Sequence, residues 1–104
     1  MLLITTDIIP GKEVAETLGL VRGNTIRAKH IGKDILAGLK TIIGGEIKQY
    51  TEALNEAREQ AIERMVAEAK EMNADAIIGV RFTTSQVIQG AAELLVYGTA
   101  VTLK

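Results

Sequence analysis

One imidazole, no thiol and a handful of well-spaced charges make up most of the reactive chemistry in this chain of 104 residues. His30 is the single histidine and cysteine is absent, which removes disulfides, thiolate metal sites, iron–sulfur clusters and cysteine nucleophiles together. Transition and heavy metals favour imidazole and thiolate, so His30 is the first metal-ligand candidate and Glu46 the second. Asp34 follows His30 by four residues, a helical spacing, but Lys29 before and Ile31-Gly32 after favour a loop, where His30 is simply a surface histidine at a strand-to-helix corner. Asp7, Asp34 or Glu46 with water would suit a hard cation, although no EF-hand spacing is present. Met65 and Met72 are soft thioethers whose positions on an apolar stripe mark them as core filler.

Glu46 also stands just behind Gly44-Gly45 at the start of a long helical pattern. Backbone amides there could hold an anion, but a carboxylate in the first turn complements the helix dipole by itself. Arg81 falls on a strand, where a buried cation needs a carboxylate or an interface partner. Glu93, Glu46 and Glu52 are the candidate carboxylates. Tyr97 and Thr99 flank Gly98 on the returning strand, and Gly79 and Gly98 could open a groove beside Arg81 for a ligand or a neighbouring chain. Catalysis has little to work with: Ser85 is the only serine, and neither it nor His30 can be placed in a dyad by spacing. The expectation is a protein that is not an enzyme.

The elements that must hold these groups follow from periodicity. Residues 2–6 read as a short strand ending at Ile9-Pro10-Gly11, where proline presets φ and glycine supplies a tight turn. Partial alternation over 12–27 predicts a strand, interrupted by a turn or bulge at Arg22-Gly23-Asn24. Ile35, Leu36, Leu39, Ile42 and Ile43 predict a short amphipathic helix over 33–43, closed by Gly44-Gly45. A second helix spans about 47–72: Ile47, Tyr50, Leu54, Ala57, Ala61, Met65, Ala69 and Met72 form one stripe, and a row of Glu, Lys and Arg lies opposite. Asn73 sits where a left-handed C-cap is wanted. Residues 76–87 and 92–103 then form a hairpin.

Composition sets the outer bounds. One domain fits 104 residues. A net charge of −1 and three aromatic residues, Tyr50, Phe82 and Tyr97, argue against nucleic acid as a partner. The apolar Met1-Leu2-Leu3-Ile4 is too short for a signal sequence or a membrane span, so a soluble, cytoplasmic protein without a membrane partner is expected.

The hairpin strands are apolar or small on both faces. Alternation places Ile78, Val80, Phe82 and Thr84 on one face and Ile77, Gly79, Arg81, Thr83 and Ser85 on the other. Two helices can cover one face, and burying each further Leu or Val is worth roughly 1.5–3 kcal/mol. A second copy of the chain is the expected cover for the rest, with Leu95 and Val101 on the uncovered side.

In its order of motifs the chain resembles the bacterial YbjQ-like proteins, which carry the label "putative heavy-metal-binding domain". The resemblance lies in Val21-Arg22-Gly23-Asn24, in Gly44-Gly45-Glu46-Ile47 with Tyr50-Thr51, in Ala57-Arg58, in Asn73-Ala74-Asp75-Ala76-Ile77-Ile78-Gly79-Val80-Arg81 and in Tyr97-Gly98-Thr99-Ala100-Val101. It covers the whole chain, with Asn73 standing where members usually have glycine. It implies an α+β subunit of dodecin-like shape, an antiparallel-rich sheet with one short and one long helix, assembled into a ring-shaped homopentamer. A metal ion is the cofactor it implies. In such a ring one His30 or Glu46 per chain would recur around the axis as a circle of ligands. The other reading is a small-molecule site in a groove between subunits, using Glu46, Arg81, Tyr97 and Thr99.

Overall fold

The computed structural model describes residues 1–27, 48–88 and 91–104. The short helix expected over 33–43 therefore lies outside the described residues, as do His30, Asp34 and Glu46. Strand β1 is Leu2–Leu3, β2 is Val14–Arg27, helix α1 is Lys48–Glu71, β3 is Ala76–Ile88 and β4 is Ala91–Leu103. They form an α+β unit with one four-stranded sheet in the order β1-β3-β4-β2. The sheet is mixed: β1 runs parallel to β3, and the β3–β4 and β4–β2 pairs are antiparallel.

The apolar stripe of α1 produces the core. Ala57, Ala61, Met65 and Ala69, each four residues apart, are buried, the last three in one cluster with Val21, Ile77, Val80, Val96 and Ala100, while the acidic residues of the opposite helix face stay exposed or half-buried. Small side chains on the helix permit a close approach to the sheet. At the point of contact β2 presents Gly23, and Thr25 donates its hydroxyl hydrogen to the Ala57 carbonyl at 3.4 Å. Arg22-Gly23-Asn24 is therefore not a turn. The strand runs straight through it in register with Tyr97, Val96 and Leu95, and its irregularities lie earlier, between Val14 and Glu16 and between Thr17 and Gly19. Glycine at position 23 answers to helix packing, a requirement that sequence spacing does not separate from a turn.

The helix ends as its sequence predicts. Asn73 adopts φ 62°. The Asn73 amide donates to the Lys70 carbonyl at 3.0 Å and the Ala74 amide to the Ala69 carbonyl at 3.1 Å, the two bonds of a Schellman cap. Asp75 then fastens this corner to the last strand: its amide donates to the Val101 carbonyl at 2.9 Å and its carboxylate accepts from the Leu103 amide at 2.8 Å.

Strand β3 departs from simple alternation. Between Ile78, opposite Thr99, and Arg81, opposite Tyr97, it carries one residue more than β4. Gly79 sits there at φ 61°, so the extra residue forms a bulge that only a left-handed backbone permits. The faces exchange at that point. Ile77 joins Val80, Phe82 and Thr84 on the helix side, and Ile78 joins Arg81, Thr83 and Ser85 on the other, which corrects the grouping expected from strict alternation.

Candidate functional site

The sheet face turned away from α1 brings together the polar residues singled out in the sequence. Register places Arg22 of β2, Tyr97 of β4 and Arg81 of β3 in one row across three strands. Adjacent strands lie about 4.8 Å apart, so the two arginine backbones stand about 10 Å apart with the tyrosine between them. Thr99 lies two residues along β4 on the same face, in a row with Leu20 and Ile78. Toward the hairpin end follow Asn24, Leu95 and Thr83, then Ile26, Glu93 and Ser85. Arg81, Tyr97 and Thr99 thus share one surface as expected, and Glu46 lies outside the described residues.

Among the described residues Arg81 meets carbonyls and no carboxylate, and Glu46, one of the partners expected for it, lies outside them. The Arg81 Nη1 donates to the Thr5 carbonyl at 2.7 Å and to the Val80 carbonyl at 2.9 Å. Those bonds tie the segment after β1 to the bulge, alongside the Gly79 and Val80 amides, which donate to Thr6 and Ile4 at 2.9 Å each. Glu93 instead accepts from the Asn24 side-chain amide at 3.0 Å, across the β2–β4 pair. A guanidinium that caps carbonyls in an exposed position needs no ion pair, because water screens its charge. Among the described residues the ion pair present is Lys104 to Glu13, at 3.3 Å on the surface.

A shallow depression of about 360 Å³ lies on this face, lined by Arg22, Asn24, Glu93 and Leu95. Arg22 and Asn24 were missed as site residues because Gly23 between them reads as a turn. Once 14–27 is one strand, alternation alone aims both at the open face. Tyr97 is 37% exposed and Leu20 and Ile26 are each 59% exposed, so the surface mixes cations with apolar groups. Val101 and Ala76, paired across the far end, are fully buried within the single chain. That end of the face is already covered, contrary to the expectation that Val101 awaits a neighbour.

The metal candidates His30 and Glu46 lie outside the described residues. Among the described residues no three of His, Asp and Glu gather closely enough to hold an ion. Met65 is fully buried in the core, whereas Met72, expected there as well, is exposed at 36%.

Known proteins share both the sequence and the fold. The model of the YbjQ family, described as "putative heavy-metal-binding", matches residues 1–104. The chain is 62% identical over 104 residues to a UPF0145 protein of Archaeoglobus fulgidus, covering 100% of this chain and 96% of that one. It is 58% identical over 104 residues to a UPF0145 protein of Psychromonas ingrahamii, covering 100% and 99%. Such relatives occur in an archaeon as well as in bacteria, a wider range than the resemblance in the sequence suggested. A crystallised protein of unknown function from Pediococcus pentosaceus, assigned to the DUF74 family, matches the fold with a TM-score of 0.65 at 16% identity, covering 100% of this chain and 98% of that one. At that identity the likeness is one of fold.

Proposed function

We propose that this chain, which belongs to the YbjQ family, is a non-catalytic cytoplasmic module that works as a homo-oligomer, with five copies in a ring as the family resemblance implies. What supports assembly is the surface of the single chain. It exposes 7087 Å², against roughly 5,700 Å² for a compact monomer of its mass. Its radius of gyration is 17.0 Å, with extents of 54 × 26 × 16 Å, where about 13 Å is usual for this length. Leu20, Ile26, Phe82 and Ile88, between 47% and 69% exposed, supply the apolar groups such an assembly would bury.

The family's description names heavy metals, and the donor set of one chain does not match it. Zero cysteines and one histidine leave a thiophilic ion without its preferred ligands. A heavy-metal centre would have to draw His30, with Glu46, from several copies around an axis. The second reading, a small molecule held at subunit grooves, is favoured by the row of Arg22, Tyr97 and Arg81. Two cations flanking a phenol with no carboxylate in the row suit a carboxylate- or phosphate-bearing ligand. Nucleic acid and membrane are not partners in either reading. Among the described residues no helix is long and apolar enough to cross a membrane.

Native mass spectrometry of untagged protein, purified without chelator, tests the reading. A ring mass that is a multiple of the chain mass is expected. Added mass would identify a metal or a small ligand, and a monomer at every concentration would overturn the assembly.

A further inference from the structure

We propose that the depression lined by Arg22, Asn24, Glu93 and Leu95 is a binding site for a free amino acid with an apolar side chain. The proposal rests on the small-molecule reading above and narrows it: the ligand is a zwitterion, and the residues that hold it come from one chain.

The cavity comes first. Its volume of about 360 Å³ lies at the low end of the range for small-ligand sites, roughly 300–1,000 Å³. Its wall carries a cation, Arg22, a carboxylate, Glu93, and an amide, Asn24, with Leu95 as the apolar group. Of the row Arg22, Tyr97 and Arg81, it is Arg22 that lines the cavity, and Arg81 already commits its Nη1 to the Thr5 and Val80 carbonyls. Anchoring of an anion here therefore falls to Arg22.

Opposite charges in one wall commonly pair, and these two do not. Both residues are described, and the ion pair found among the described residues is Lys104 to Glu13. Glu93 turns toward Asn24, which stands diagonal to it across the β2–β4 pair and donates from its side-chain amide to Oε2 at 3.0 Å. A carboxylate has lone pairs for several donors, so Glu93 can accept from an ammonium as well. Arg22 lies about 7 Å along β2 from Asn24 on the same face. Cation and carboxylate thus stand on either side of Asn24, with the depression between them.

That arrangement selects by charge. A ligand with a carboxylate or phosphate alone would satisfy Arg22 but bring like charge toward Glu93, and an amine alone would bring like charge toward Arg22. An amino acid carries both groups on one carbon. Its carboxylate meets the Arg22 guanidinium, its ammonium meets Glu93, and its side chain lies on the half-buried Leu95.

The backbone beneath is already fixed. Gly23 and Thr25, which alternate with Arg22 and Asn24, face α1: Gly23 packs on the Ala61 carbonyl and Thr25 is bonded to the Ala57 carbonyl. Arg64 of α1 also donates to the Asn24 carbonyl. The helix holds this stretch of β2, so binding has side chains to order and little backbone.

Titration of the isotope-labelled full chain, followed by NMR, tests the assignment with four compounds: L-leucine, isocaproate, which lacks its amine, isoamylamine, which lacks its carboxylate, and inorganic phosphate. L-leucine is expected to shift the Arg22, Asn24, Glu93 and Leu95 amide signals, with isocaproate and isoamylamine at least about tenfold weaker. Arg22→Met and Glu93→Gln should each weaken L-leucine about tenfold, the worth of one charge-assisted contact. Glu93→Gln should also erase the preference for L-leucine over isocaproate, a change that a merely structural Glu93 would not produce. Isocaproate bound as tightly as L-leucine, or a preference that survives Glu93→Gln, would overturn the zwitterion and leave the small-molecule reading standing with an anionic ligand. Phosphate shifting Arg22 and Tyr97 where L-leucine shifts nothing would do the same. No response of these residues to any of the four would overturn both.

Discussion

Gly23 and Ala61 lie backbone against backbone: a methyl group on Gly23 would collide with the Ala61 carbonyl oxygen and stand 2.5 Å from the Met65 nitrogen. The helix rests on the sheet at this point, and both partners are small because the separation allows nothing larger. Both obstructing groups are helix backbone, so relief requires α1 itself to move.

Gly23→Ala is therefore expected to lower stability by about 1–3 kcal/mol, the usual cost of forcing an extra carbon into a packed interior. Urea denaturation at a fixed protein concentration measures it. A midpoint unchanged from wild type would mean that the helix shifts freely and that its contact with β2 is not a tight one.

Arg81 should behave as a tether rather than as half of an ion pair. Arg81→Met removes the bonds to the Thr5 and Val80 carbonyls and is expected to speed amide exchange in residues 4–6 and at Gly79 and Val80. Glu93→Gln, which keeps an acceptor for Asn24, should leave those amides unchanged. If Glu93→Gln loosened the N-terminal segment as much as Arg81→Met, a charge partnership with Arg81 would have to replace the carbonyl tether.

Charge introduced at two apolar positions should have opposite consequences. Leu20 is 59% exposed and Val101 is fully buried. Leu20→Asp is expected to leave circular dichroism intact while weakening assembly, because an unpaired charge would have to be desolvated at the interface. Val101→Asp should unfold the chain instead, since its charge would be buried within one subunit. A folded monomer from Val101→Asp would show that the far end of the open face is not sealed as the fold indicates.

Metal binding can be weighed by stoichiometry. With no thiolate and one imidazole per chain, fewer than one Cd²⁺ or Zn²⁺ per chain is expected at equilibrium dialysis, with His30→Ala removing whatever is held. One ion or more per chain, undiminished by His30→Ala, would point to a site built from oxygen ligands without the imidazole.

Much of this architecture was readable without coordinates. The long helix follows from its four-residue stripe, and its end from Asn73, whose tolerance of φ 62° closes the cap. The antiparallel hairpin follows from two apolar runs that need each other, with boundaries within a residue of those expected. These are local demands: side-chain periodicity and the φ a residue tolerates are properties of a few neighbouring positions. Zero cysteines and one histidine likewise limit metal chemistry before any fold is known.

Tertiary structure decided what depends on distant partners. Gly23 looks the same in sequence whether it turns the chain or admits a helix, and the presence of Ala61 against it settles the matter. Gly79 could have been an ordinary strand residue. The Thr99 to Tyr97 register shows that it is a bulge, which turns Ile77 into the core and aims Arg81 at Thr5. Sequence named Arg81, Tyr97 and Thr99 as candidates, but cross-strand register added Arg22 to their row, and the fold gave Arg81 a carbonyl partner in Thr5 that its sequence position does not announce. The physical reason is common to all of these: a residue's type fixes what it can bond to, and only the pairing of segments far apart in the chain fixes which bond it makes.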